Sequence, residues 1–180
     1  MKKKIPQIAA VALLALGGAS YAGVCKSLPG NMNCGKGNVE SLEANGSVNL
    51  NGTNVLGETV INGLLMAEDS NFNGVDVNGN AEFIQCSINH DALVKGALKA
   101  SSSKFNGSLG VYSNATRLIN TLVDGDIHVY HTNPAKQVVY LDNFSRVTGN
   151  VVFDDGQGEV ILRGQSKVEG KIIGGNAVSK

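Results

Sequence analysis

The stretch Ser145-Arg-Val-Thr-Gly-Asn-Val-Val-Phe153, echoed by Ser166-Lys-Val-Glu-Gly-Lys-Ile-Ile173, decides the fold. Each alternates polar and apolar residues around a central glycine. A period of two belongs to a strand with one buried face and one wet face. The phrase runs back through the chain as an apolar residue two before a glycine and two, usually four, after it. Its copies are Ala44-Gly46-Val48-Leu50, Ile61-Gly63-Leu65-Ala67, Val77-Gly79-Ala81-Phe83 and Val94-Gly96-Leu98-Ala100. They continue as Phe105-Gly107-Leu109-Val111, Val123-Gly125-Ile127-Val129, Val147-Gly149-Val151-Phe153 and Val168-Gly170-Ile172.

The spacing of the copies says how the strands are joined. The glycines step by 17, 16, 17, 11, 18, 24 and 21 residues. A second apolar column, Phe72, Ile88 and Phe105, advances by 16 and 17, always 11 after Ile61, Val77 and Val94. Two columns at a fixed offset describe a coil with more than one strand per turn. One such coil cannot bury its own apolar face, so several must stack. The expected fold is all-β: a parallel β-helix of about six to eight short coils, each with two or three strands. Six Asn-Gly pairs (45–46, 51–52, 62–63, 73–74, 78–79 and 106–107) supply residues that tolerate positive φ at corners. The alternative is an antiparallel β-sandwich with Asn-Gly hairpins. Against it, the pairs fall inside the phrase rather than between phrases. His131 to Lys136 and Asp154 to Gly158 read as loops that lengthen the later steps.

Composition fits a packed core without large rings. Hydrophobic residues make up 42% and charged residues 17%, whereas aromatics reach only 5% and Trp is absent. Val, Ile, Leu and Ala must therefore fill the interior. Gly (23) and Asn (20) are both abundant, as corners require.

Residues 1–22 read as a secretory signal peptide. Lys2, Lys3 and Lys4 precede an apolar run from Ile8 to Leu16, and Ser20-Tyr21-Ala22 forms a small-x-small site cut before Gly23. Val24 is bulkier than the residue that precedes a lipidated cysteine. No second long apolar run follows, so no helical span is expected. Without the three signal lysines, 12 Lys+Arg face 15 Asp+Glu, a net charge of −3. Such a chain lacks the clustered basic face of a nucleic-acid binder.

Export implies an oxidising compartment. Cys25 and Cys34 flank the turn Pro29-Gly30 and are expected to form a disulfide, making 23–40 an N-terminal cap on a β-helix domain at 41–176. Cys86 is then a lone buried residue. Three cysteines without a neighbouring His do not make a metal site.

Asp124-Gly-Asp126-Ile-His128 is the one candidate for chemistry. With Val123, Ile127 and Val129 inward, Asp124, Asp126 and His128 would share an outer face, where carboxylates beside an imidazole can move protons. The other reading of the same residues is a solvated face. Asp154-Asp155-Gly-Gln-Gly reads as a polar turn and His90 as a corner residue. No nucleophile motif, phosphate loop or cofactor motif occurs.

The phrase Ser-x-Val-x-Gly-x-Ile/Val at 145–151 and 166–172, and more loosely at 103–109 and 121–127, resembles the repeats of bactofilins. The likeness covers roughly 59–175. It implies a small bacterial β-helix with a tendency to associate end to end. Bactofilins are typically cytoplasmic, and the export signal sets this chain apart. The functional expectation is an exported β-solenoid of the cell envelope, periplasm or outer surface, with a structural, adhesive or self-associating role and no cofactor. Its partners would be further copies joined through the solenoid ends, and the expected activity is not enzymatic. The alternative is a polysaccharide-binding or polysaccharide-cleaving β-helix working through Asp124, Asp126 and His128.

Overall fold

The computed structural model describes residues 24–132 and 136–180. The expected signal segment at 1–22 and its cut before Gly23 lie outside them. Every described element is a strand, and all pair in parallel except the hairpin Cys25–Leu28 with Asn31–Cys34. The fold is a parallel β-solenoid, and the antiparallel sandwich does not form.

Each coil has three faces. Face 1 begins with Asn31–Cys34, runs through residues 47–50 and 64–68, and continues as Ala81–Ile84, Leu98–Ser101, Ala115–Ile119, Val138–Asp142, Gly158–Leu162 and Gly175–Ser179. That makes about nine turns, slightly more than the spacing predicted. Face 2 carries the short rungs Ser87–Ile88, Lys104–Phe105, Leu122–Val123, Arg146–Val147 and Lys167–Val168. Face 3 carries Ala92–Val94, Leu109–Val111, Ile127–Val129, Val151–Phe153 and Ile172–Ile173. The Phe72, Ile88, Phe105 column is face 2; the first column spans faces 3 and 1.

The register gives the coil lengths. Leu65 faces Ala81, Ala81 faces Leu98 and Leu98 faces Thr116, which are steps of 16, 17 and 18. Thr116 then faces Val139 and Val139 faces Val160, steps of 23 and 21. The two long coils contain the two loops read from sequence. The described residues of both loops lie at the corner between faces 3 and 1.

Outside the corner between faces 1 and 2, most inward positions are aliphatic or Phe and almost fully covered. Ile61, Val77, Ile88, Val94, Leu109 and Ile127 are all 0% exposed. Such a side chain contributes about 1.5–3 kcal/mol when buried. Phe72, Phe83 and Phe105 meet edge to face at 5.8 Å, which fills the width of the coil where aliphatics alone would leave gaps.

The corner between faces 1 and 2 is built the same way in each coil. From Gly52 on, the residue before the inward one takes a left-handed conformation: Gly52, Asp69, Gln85, Ser102, Asn120, Phe144 and Gln165, with φ between 48° and 68°; in the last two of these corners Asn143 and Gly164 precede it in the same conformation. The next residue turns inward: Thr53, Ser70, Cys86, Ser103, Thr121, Ser145 and Ser166. Its hydroxyl donates to a carbonyl of its own corner (Ser70 to Glu68 at 2.7 Å, Ser145 to Asp142 at 2.7 Å). It also accepts from the amide one coil earlier (Thr53 N to Ser70 at 3.1 Å, Thr121 N to Ser145 at 3.2 Å, Ser145 N to Ser166 at 3.0 Å). This internal hydroxyl ladder satisfies backbone groups that the sharp turn would orphan. Cys86 takes one place in it, its thiol 3.3 Å from the Ile84 carbonyl, and burial raises its pKa.

At the N-terminal end Cys25 faces Cys34 across the hairpin and the two form a disulfide. The second arm of that hairpin is already the first rung of face 1. The cap and the first coil therefore share a strand.

Candidate functional site

Val123, Ile127 and Val129 are buried, as the alternation requires. Asp124, Asp126 and His128 nevertheless do not form one strand face. Asp124 and Asp126 lie at the corner between faces 2 and 3, and only His128 lies on a rung. Asp124 points back to Lys104, 3.2 Å away in the coil below. Asp126 Oδ1 accepts from the backbone N–H of Asn150 at 2.6 Å and from its amide at 3.3 Å.

That bond makes Asp126 part of a column. Ser108 N–H donates to Asp91 Oδ1 at 2.7 Å, Asp126 N–H to Ser108 Oγ at 3.4 Å, and Lys171 N–H to Asn150 Oδ1 at 2.9 Å. Each side chain caps the amide of the next coil at this corner. Such a carboxylate is held by its own backbone and is badly placed to exchange protons with a substrate.

His128 belongs to a different cluster, which the sequence reading missed. Its ring stacks on Tyr130 at 4.2 Å and 10°, and Tyr130 stacks on Tyr112 of the coil below at 4.5 Å and 15°. Its Nε2 lies 2.7 Å from Asp154 Oδ1. That hydrogen bond is the main reason the Asp154 carboxyl is held below its ordinary value. His131 Nδ1 pairs with Asp155, and His131 N–H donates to Asp154 Oδ2 at 3.4 Å. The acidic turn after face 3 is therefore spent on the loop of the coil below it. One signal could have exposed the stack: Tyr112 and Tyr130 are 18 residues apart, the step that sets Leu109 against Ile127.

Room for the Tyr130 ring comes from Gly110. A β-carbon at Gly110 would lie 3.0 Å from Tyr130 Cε2. A shallow depression of about 340 Å³ lies over Gly110, with Asp91, Ser108, Asp126 and His128 on its rim. A second, of about 360 Å³, lies against Tyr112 on the other side. His90 stands exposed at the corner between faces 2 and 3, its N–H donating to the Asn73 carbonyl at 2.8 Å. Among the described residues no three His, Cys, Asp or Glu converge as metal ligands, and no helix is long and apolar enough to cross a membrane.

The fold and this ring stack define the class of the molecule as a small β-solenoid with a decorated corner. No family model, curated protein or solved structure matches the chain.

Proposed function

We propose that the chain is an exported bacterial β-solenoid with a structural or adhesive role at the cell envelope, able to associate with further copies through the ends of its stack. One observation supports this reading above others. Asp124, Asp126 and His128 are each tied to a neighbouring coil, by an ion pair, a backbone bond and a His–Asp contact respectively. Polar groups used in this way stiffen a surface. Self-association is supported by the rung Gly175–Ser179, which pairs on one side with Gly158–Leu162 and on its other side with no described strand. A one-sided rung is a template for another strand.

The test takes the full chain expressed in bacteria, quenches the cells in acid and alkylates free thiols in denaturant, so that the buried Cys86 reacts too. The proposal expects one alkylated cysteine, Cys86, with Cys25 and Cys34 protected until reduction. Three alkylated cysteines would place the chain in a reducing compartment and overturn the export reading. Light scattering of the purified protein should show a mass that rises with concentration; a constant monomer would remove the self-association part.

Polysaccharide binding is a second reading, and the ring stack beside open depressions favours it. Polysaccharide cleavage draws no such support, because the carboxylates it needs are engaged.

A further inference from the structure

We propose that Tyr112 is the platform of a binding site for a neutral pyranose unit of a polysaccharide. Tyr112 is 37% exposed. It is also held still. Tyr130 stacks on it, His128 stacks on Tyr130, and Asp154 fixes His128. An exposed ring immobilised in advance binds without the ordering cost of a mobile side chain.

The coil below leaves space beside that ring. At the corresponding corner stand Gly96 and Ala97, and Lys95, the residue in register beneath Tyr112, is drawn to Asp76 at 3.6 Å. The resulting depression of about 360 Å³ is bounded by Tyr112, Gly96, Ala97, Ser113, Asn114 and Thr132, among others. It is an open, shallow hollow rather than an enclosed pocket, the shape that a sugar laid flat on a ring needs.

The lining chooses the ligand. It contains no Asp, Glu, Lys or Arg, and Lys95 beside it is already paired with Asp76, so an ionised sugar would find no unpaired counter-charge. Aromatic faces are electron-rich and attract the weakly positive C–H bonds of a pyranose. Asn114 Oδ1 accepts from Thr132 Oγ1 at 2.9 Å, which orients the amide, and its N–H groups meet no acceptor among the described residues. A ring face plus one oriented amide is a minimal sugar subsite. The site sits where two coils meet, so a chain of sugars lying along the solenoid could pass over it.

This inference deepens the adhesive reading, yet it is measured on the isolated protein and does not depend on where the protein resides. Its failure leaves the export test untouched, and the reverse holds too. Binding is followed by titration calorimetry, which reads the wild type and the tyrosine variants alike. The protein is titrated with soluble cello-, laminari- and chito-oligosaccharides, with oligogalacturonate as the acidic comparison. At least one neutral oligomer should bind saturably. Tyr112→Ala should weaken binding by about tenfold or more, whereas Tyr112→Phe and Tyr140→Ala should stay within about twofold. Asn114→Ala, which keeps the ring stack intact, should weaken it several-fold and serves if Tyr112→Ala melts early. No saturation by any neutral oligomer up to about 10 mM overturns the proposal, as does binding indifferent to both Tyr112→Ala and Asn114→Ala, or a preference for oligogalacturonate.

Discussion

The coils up to Ser101 and the coils after it turn the corner between faces 3 and 1 by opposite means. In the N-terminal coils this corner is a column of glycines, Gly46, Gly63, Gly79 and Gly96, stacked so closely that a β-carbon on Gly63 would lie 2.1 Å from the Gly46 carbonyl oxygen. The outward residue before each glycine is Asn in the first three coils, and these form a ladder (Asn62 to Asn45 at 2.9 Å, Asn78 to Asn62 at 3.4 Å). In the C-terminal coils the glycines move to the corner between faces 2 and 3, as Gly107, Gly125, Gly149 and Gly170. The vacated corner holds Tyr112, Tyr130, Asp154 and both loops. A corner closed by glycine packing admits no decoration, while a corner released from it can carry rings, His–Asp pairs and insertions.

The largest effect expected from this difference is at Gly63. Its φ of +149° and the Gly46 carbonyl below it leave no room for a side chain, so Gly63→Ala should cost about 3 kcal/mol or more. Gly110→Ala in the C-terminal coils meets only the side-chain tips of Leu93 and Tyr130 and should cost about 1 kcal/mol or less. Urea unfolding of the pair measures the contrast, and equal costs would break it.

Second in size is the internal ladder, which both halves share. Ser145→Ala removes the acceptor of Thr121 N–H in a buried site and should cost about 1–3 kcal/mol. Cys86→Ser places a hydroxyl where every neighbouring coil has one and should stay within about 1 kcal/mol. A Cys86→Ser variant as damaged as Ser145→Ala would mean that the ladder differs between the halves.

A smaller gain is expected at Phe144, the residue in its corner column that is both bulky and strongly exposed, at 65% and φ +64°. Asn tolerates that conformation better, so Phe144→Asn should stabilise by about 0.5–1 kcal/mol. A loss would show that the ring makes a contact worth more than its strain.

The smallest effect concerns acid. Asp154 has a folded pKa below its ordinary 3.8, so its contribution is complete above that value and disappears as pH falls through the lower, folded pKa. Thermal melts across this window should show a limb that Asp154→Asn flattens. An unchanged limb would clear the His128–Asp154 pair of any part in acid stability.

Much of this architecture was legible because inward and outward residues alternate. Val147, Val151 and Phe153 are inward, and Arg146 is exposed. The failures came from residues whose type contradicts their position. Ser145 opens the repeated phrase and reads as a wet residue, yet it is 0% exposed because its hydroxyl serves two backbones. The step of 11 between Gly96 and Gly107 marks the jump of the glycine column from one corner to another, which a single-phrase alignment cannot represent. Asp126 looked like an acid because a side chain capping the amide of another coil leaves no local trace. The tyrosines went unseen since their partners become neighbours only once the coil length is known.

The hairpin closed by Cys25 and Cys34 has a consequence for how the molecule assembles. Its second arm offers a finished edge before any later rung exists, and each new rung finds its partner 16 to 24 residues behind it. A chain delivered N-terminus first would always have its template in place ahead of the segment that needs it. The staple is then a seed as much as a lid, and the solenoid can grow in one direction, coil upon coil, without waiting for its far end.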